Sequence, residues 1–162
     1  LAHYVKPPMR PEQLDALVES MLSTRLGDDH YPGDSRVTPD WPGMLPGDRG
    51  VLNTMAPTHV RIADLSAVHP KPPILWIRGA DDLIVSDTSL YDFGYLGELG
   101  AVPGWPGEDM WPPQPMVAQT RAVLDTYGAY QEVVVADAGH AVHLDKPAEF
   151  NRFLHAHLAT SS

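Results

Sequence analysis

Two short polar turns carry the residue types from which proton-transfer chemistry is built. The first, Gly79-Ala80-Asp81-Asp82-Leu83-Ile84-Val85, places a carboxylate just after the apolar run Pro73-Ile74-Leu75-Trp76-Ile77-Arg78. The second, Asp137-Ala138-Gly139-His140, places an imidazole just after the run Glu132-Val133-Val134-Val135-Ala136. A neutral imidazole takes a proton from a nucleophile, and a buried carboxylate bound to its other ring nitrogen fixes the tautomer and stabilises the imidazolium that forms. Neither group attacks a substrate itself, so the pair implies a nucleophile as well. Asp82 alone would be a turn or capping residue, and a Gly-His turn alone has many structural uses. Their occurrence after two successive strands, in the same relation to each, favours catalysis. Asp81 is the rival acid, read as a solvated or capping residue, and His143 is read as a pocket-rim or surface residue.

The strands and helices around these turns are read from the apolar pattern. Both apolar runs are short and bounded by turn residues, as expected of strands flanked by neighbours in a parallel sheet. In such sheets functional groups gather at the carboxyl ends of the strands, where both turns lie. Residues 11–26 have the 3.6-residue apolar spacing of a helix, with Leu14, Leu17, Val18, Met21 and Leu22 on one face and Pro11 in the first turn. Residues 27–50, crowded with Asp, Pro and Gly, are expected as loop, and residues 51–67 as short helices. Residues 86–115 form a long stiffened excursion. Helices are expected over residues 116–127, ended by Gly128, and over residues 147–158 with its proline in the first turn. No internal repeat is present. Two parallel strands alone would leave edges and an apolar face uncovered, so further strands are expected from an upstream segment, as a first residue Leu1 in place of Met also suggests.

The order strand, Gly-x-x-Asp-x-x-Val, helix, strand, Gly-His and a Lys-Pro-x-Glu-Phe helix start resembles the last third of the α/β-hydrolase enzymes, over residues 74–85 and 133–153. The resemblance implies an α/β fold class: the C-terminal portion of that core over residues 70–162, with a long insertion at 86–115, preceded by a mainly helical lid over residues 1–69. It implies that Asp82 is the acid and His140 the histidine of a triad whose nucleophile lies upstream, on a Gly-x-Ser-x-Gly elbow or as the Asp of dehalogenases and epoxide hydrolases. No such elbow occurs here; Gly33-Asp34-Ser35-Arg36-Val37 lacks the second glycine and a preceding strand. The expected partner is therefore an N-terminal α/β-hydrolase polypeptide carrying the nucleophile, and the expected reaction is hydrolysis of a small-molecule ester through serine. The alternatives are epoxide or haloalkane hydrolysis through an Asp nucleophile, or a non-catalytic ligand-binding or interaction member of the fold. No organic cofactor or metal is implied. The interval from Asp82 to His140 is longer than the resemblance leads one to expect, and the 86–115 excursion accounts for the excess.

Composition narrows the rest. The 162 residues, 43% of them hydrophobic, are enough for one ordinary core. Twenty-one acidic against 11 basic side chains give a net charge of -10, which repels nucleic acid and anionic membranes. No run approaches the ~18 apolar residues of a spanning helix, and the first eight residues lack the blocks of a signal peptide; cytoplasm is the default compartment. The absence of cysteine removes disulfides, thiolate zinc sites and a cysteine nucleophile from this segment. His155 and His157, two apart on a helix, point to different faces and are read as ordinary helix residues. Asp28, Asp29, His30 and Asp34 form an acidic cluster without the spacing of a calcium loop. Trp41, Trp105 and Trp111, set among prolines, either line a cleft or pack loops onto the body.

Overall fold

A computed structural model describes residues 3–6, 8–62 and 64–160. Leu1, and Ala63 within the stretch expected to hold short helices, lie outside them. In chain order the elements are α1 (Pro11–Leu22), β1 (Ser35–Val37), β2 (Met44–Pro46), two 3₁₀ turns (Leu52–Met55 and Leu65–Ala67), β3 (Ile74–Gly79), α2 (Phe93–Glu98), α3 (Met116–Tyr127), β4 (Tyr130–Val135), α4 (Val142–Asp145) and α5 (Pro147–Thr160). This is a mixed helix-and-strand chain with one small parallel sheet.

α1 stops four residues before the expected end. The Ser23 hydroxyl donates to the Ser20 carbonyl at 2.7 Å, a local bond that competes with continuation of the helix. Its apolar stripe is not buried: Leu14, Val18, Met21 and Leu22 are all exposed, Leu22 at 82%. The stretch expected as loop contains an antiparallel pair, with Ser35 opposite Pro46 and Val37 opposite Met44. Three-residue strands with every side chain exposed leave no alternating pattern in the sequence, which is why the pair was not legible. Gly50, at φ +90°, lets the chain cross itself here, since a Cβ on it would lie 2.2 Å from Gly33 Cα. Among the described residues up to 69, one α-helix and two 3₁₀ turns are the only helices, less helix than the expected lid. The density of Asp, Pro and Gly explains the shortfall.

β3 and β4 pair in parallel, from Ile74 opposite Tyr130 to Gly79 opposite Val135. Leu75, Ile77, Val133 and Val135 share one face and pack with Val142 and with Phe150 and Phe153 of α5. The opposite face differs from the expected strand buried on both sides. It carries Trp76, Arg78, Glu132 and Val134, and Val134 is 48% exposed. β4 also begins two residues earlier than expected and stops before Ala136. Among the described residues no third strand pairs with either edge.

On that second face Glu132 accepts from Arg78 Nε at 2.7 Å and from Arg121 Nε and Nη2 at 2.9 Å. The Arg121 hydrogen bonds, then that of Arg78, hold its carboxyl down at about 2, against an ordinary value of 4.5. A depressed folded-state value means that the stabilisation is complete above the unfolded value and is lost as pH falls from about 4.5 towards 2. Glu132→Gln should therefore cost about 2 kcal/mol at neutral pH, taking hydrogen bonds to charged groups at their usual worth. Urea unfolding of the two proteins, each co-expressed with the expected N-terminal polypeptide, should show the difference shrinking across that acid window; a constant difference would contradict the ion-pair origin.

A buried carboxylate pins the excursion between the strands. Asp92, buried, accepts from Gly94 N at 3.2 Å and Tyr95 N at 3.1 Å, capping α2, and from Gln114 N at 2.8 Å. The three tryptophans pack loops. Trp105 lies over Gly97, where a Cβ would meet its ring at 2.6 Å, and donates to the Trp111 carbonyl at 2.9 Å. Trp41 stands edge-on to Trp111, with ring centroids 5.3 Å apart, and donates to Pro103 O at 3.0 Å.

Candidate active site

Parallel pairing places the carboxyl ends of β3 and β4 side by side, and the two turns that leave them are stitched together. Ala80 N donates to Val135 O and Asp81 N to Ala138 O, both at 2.9 Å. Gly79 is required at the crossing: a Cβ there would lie 2.2 Å from the carbonyl oxygens of both Ala138 and Gly139. Asp137 takes a positive φ of 52°, a conformation that aspartate tolerates better than most residues, and so turns the chain after β4. Ala138 is fully buried beneath the crossing.

Asp82 and His140 meet at this crossing. His140 Nδ1 lies 3.0 Å from Asp82 Oδ2. The other carboxylate oxygen, Oδ1, accepts from Ile84 N at 2.8 Å and Val85 N at 3.0 Å, so the turn holds the carboxylate in orientation. The Asp82 side chain is 8% exposed and that of His140 37% exposed: the acid is covered and the imidazole reaches outward. A carboxylate only accepts, so Nδ1 carries the proton of a neutral ring and the lone pair sits on Nε2. Among the described residues nothing hydrogen-bonds Nε2. That nitrogen can take a proton from a hydroxyl or water that approaches the outer edge of the ring.

The rival residues face elsewhere. Asp81, half exposed, pairs with Lys6, and that bond first, with a second to Asp137, raises the Lys6 ammonium above its ordinary value. His143 lies on α4 with its ring tilted against Phe150, centroids 5.8 Å apart. His155 and His157 are on α5. The acidic cluster of residues 28–34 is met by Arg49, which lies 2.8 Å from Asp29, 3.6 Å from Asp28 and 3.7 Å from Asp34. Donation from the Arg49 backbone N–H is the first cause of the low Asp34 value. Among the described residues no three His, Asp or Glu side chains converge as a metal site would require. Ser35 lies in β1, an exposed hairpin strand, and not on a strand-to-helix elbow. No helix among the described residues is long and apolar enough to cross a membrane.

One part of the site had no signal in the sequence. The segment Tyr4-Val5-Lys6 lies against the Gly-His turn: Ala141 N donates to Tyr4 O at 2.8 Å, Lys6 N donates to Asp145 Oδ1 at 2.9 Å, and the Tyr4 ring stands edge-on to His140 at 6.0 Å. Val5 beneath it is buried. Between this segment, α1 and the residues after His140 opens an apolar cleft of about 380 Å³, lined by Tyr4, Leu17, Met21, Tyr31, Ala141 and Leu144 among others. Comparison of the chain with protein-family models, with curated proteins and with solved structures gave no match.

Proposed function

We infer that this chain is the C-terminal part of an α/β-hydrolase, supplying the acid and the base of a triad whose nucleophile comes from an N-terminal portion, as an upstream segment or a separate polypeptide. The observation that carries the reading is the 3.0 Å approach of His140 Nδ1 to an Asp82 carboxylate held by two backbone N–H groups, at the carboxyl ends of adjacent parallel strands. Among the described residues no third strand pairs with β3 or β4, and the apolar stripe of α1 is exposed, which supports a partner that completes the core.

The leading reaction is ester hydrolysis through serine. As the serine oxygen attacks the ester carbonyl, His140 Nε2 takes its proton, and Asp82 stabilises the resulting imidazolium. The imidazolium then protonates the departing alkoxide. Water deprotonated by the same nitrogen cleaves the acyl-enzyme, and the proton passes back to the serine. The apolar cleft beside Ala141 accommodates a nonpolar part of the substrate. With an Asp nucleophile the same pair would activate the water that resolves an ester formed from an epoxide or haloalkane.

Intact-mass analysis of the native preparation tests the reading. A second polypeptide, or a longer chain, containing a strand followed by Gly-x-Ser-x-Gly supports it, and a 17.7 kDa species alone favours the non-catalytic alternative. Expressed without the N-terminal portion, the chain should aggregate or unfold without a cooperative transition, whereas co-expression should give a monodisperse, cooperatively unfolding complex. A stable, cooperative monomer of the chain alone would count against the missing half.

A further inference from the structure

The geometry points to Asp145 as the residue that positions His140, acting on the Gly139 N–H just before it and on the Tyr4-Val5-Lys6 segment to which Ala141, just after it, is bound. The Asp145 carboxylate is a two-sided acceptor: Oδ2 takes the Gly139 N–H at 2.7 Å and Oδ1 takes the Lys6 N–H at 2.9 Å. Gly139 immediately precedes His140. Ala141, which immediately follows it, donates its own N–H to Tyr4 O at 2.8 Å. The backbone is thus tied on both sides of the imidazole, once directly to the 4–6 segment and once to that segment through Asp145. Only the Asp82 contact acts on the ring from within the triad. Without these ties, a 37%-exposed histidine on a turn would sample orientations in which Nδ1 leaves Asp82.

The residue type follows from the donors. Two N–H groups approach the two oxygens of one side chain, and a carboxylate has an acceptor for each. An amide has one carbonyl oxygen, so Asp145→Asn must aim its own N–H at either Gly139 or Lys6 and break that tie. Glu149, an exposed carboxylate in the first turn of α5, serves as a charge-matched control.

The test uses the folded assembly with His140 isotopically labelled, and compares wild type, Asp145→Asn, Asp145→Glu and Glu149→Gln, with cooperative unfolding confirming that each folds. The first readout is the deshielded Nδ1 proton resonance of His140 bound to Asp82, which requires no catalysis. The second, which rests on the hydrolytic reading above, is ester turnover. Asp145→Asn should broaden or abolish the resonance and lower kcat roughly 100-fold, the scale of a small misplacement of a reacting group, with KM nearly unchanged because Asp145 touches no substrate. Asp145→Glu, which keeps both acceptor oxygens, should restore most of both readouts. A folded Asp145→Asn protein with the resonance and kcat of wild type would overturn the assignment. So would equal losses in Asn and Glu variants that both fold, or in Glu149→Gln. Loss of the resonance in a preparation without any His140-dependent turnover would uphold the positioning role and overturn the hydrolytic reading.

Discussion

Asp82→Asn in the assembled enzyme should lower kcat by about 10⁴-fold while leaving the fold intact. The reason is the tautomer. The amide oxygen of the introduced asparagine can still accept from Ile84 N and Val85 N, as Asp82 Oδ1 does now. Its NH2 group then faces His140 Nδ1, which becomes an acceptor and drives the ring proton onto Nε2. A ring protonated at Nε2 has no lone pair there to take the proton of the nucleophile. Asp81→Asn removes only a half-exposed pair with Lys6, which solvent screens, and should cost a small fraction of that loss. Steady-state hydrolysis of a chromogenic ester by the two variants measures the contrast. Equal losses would mean that the geometry at the end of β3 does not carry the chemistry.

His140→Gln should be still more damaging, on the order of 10⁶-fold in kcat, because a glutamine can neither accept the proton nor return it to the leaving group. His143→Gln should leave turnover close to wild type, since that ring lies against Phe150 on α4 and makes no contact with Asp82. Turnover abolished by His143→Gln and kept by His140→Gln would reverse the assignment. An unchanged rate in both would favour the non-catalytic reading.

The residues at the crossing were legible because each answers a demand that shows in residue type. Gly79 must be bare where two turns touch, Asp82 follows it off one strand, and His140 leaves the next. The bounds of α3 were legible for the same reason, since its pattern is ended by Gly128 in a left-handed conformation. Features set by long-range or local side-chain bonds were not. Nothing in Tyr4-Val5-Lys6 repeats or alternates, and its place depends on Ala141 and Asp145, far along the chain. The end of α1 was decided by a hydroxyl of Ser23, and the exposed face of β4 by the Arg78–Glu132–Arg121 cluster, neither of which hydrophobic period registers. A run of valines predicts burial on both faces, whereas Val134 is 48% exposed.

Covalent labelling reports whether Asp82 and His140 activate a nucleophile on an N-terminal portion. The native assembly would be treated with a fluorophosphonate and each polypeptide weighed intact, for wild type and His140→Gln. Wild type should take up one phosphonyl group on a serine of the N-terminal portion, at a rate that falls by orders of magnitude in His140→Gln. Labelling at the same rate in both proteins, or on a serine of this chain such as Ser35 or Ser86, would contradict it.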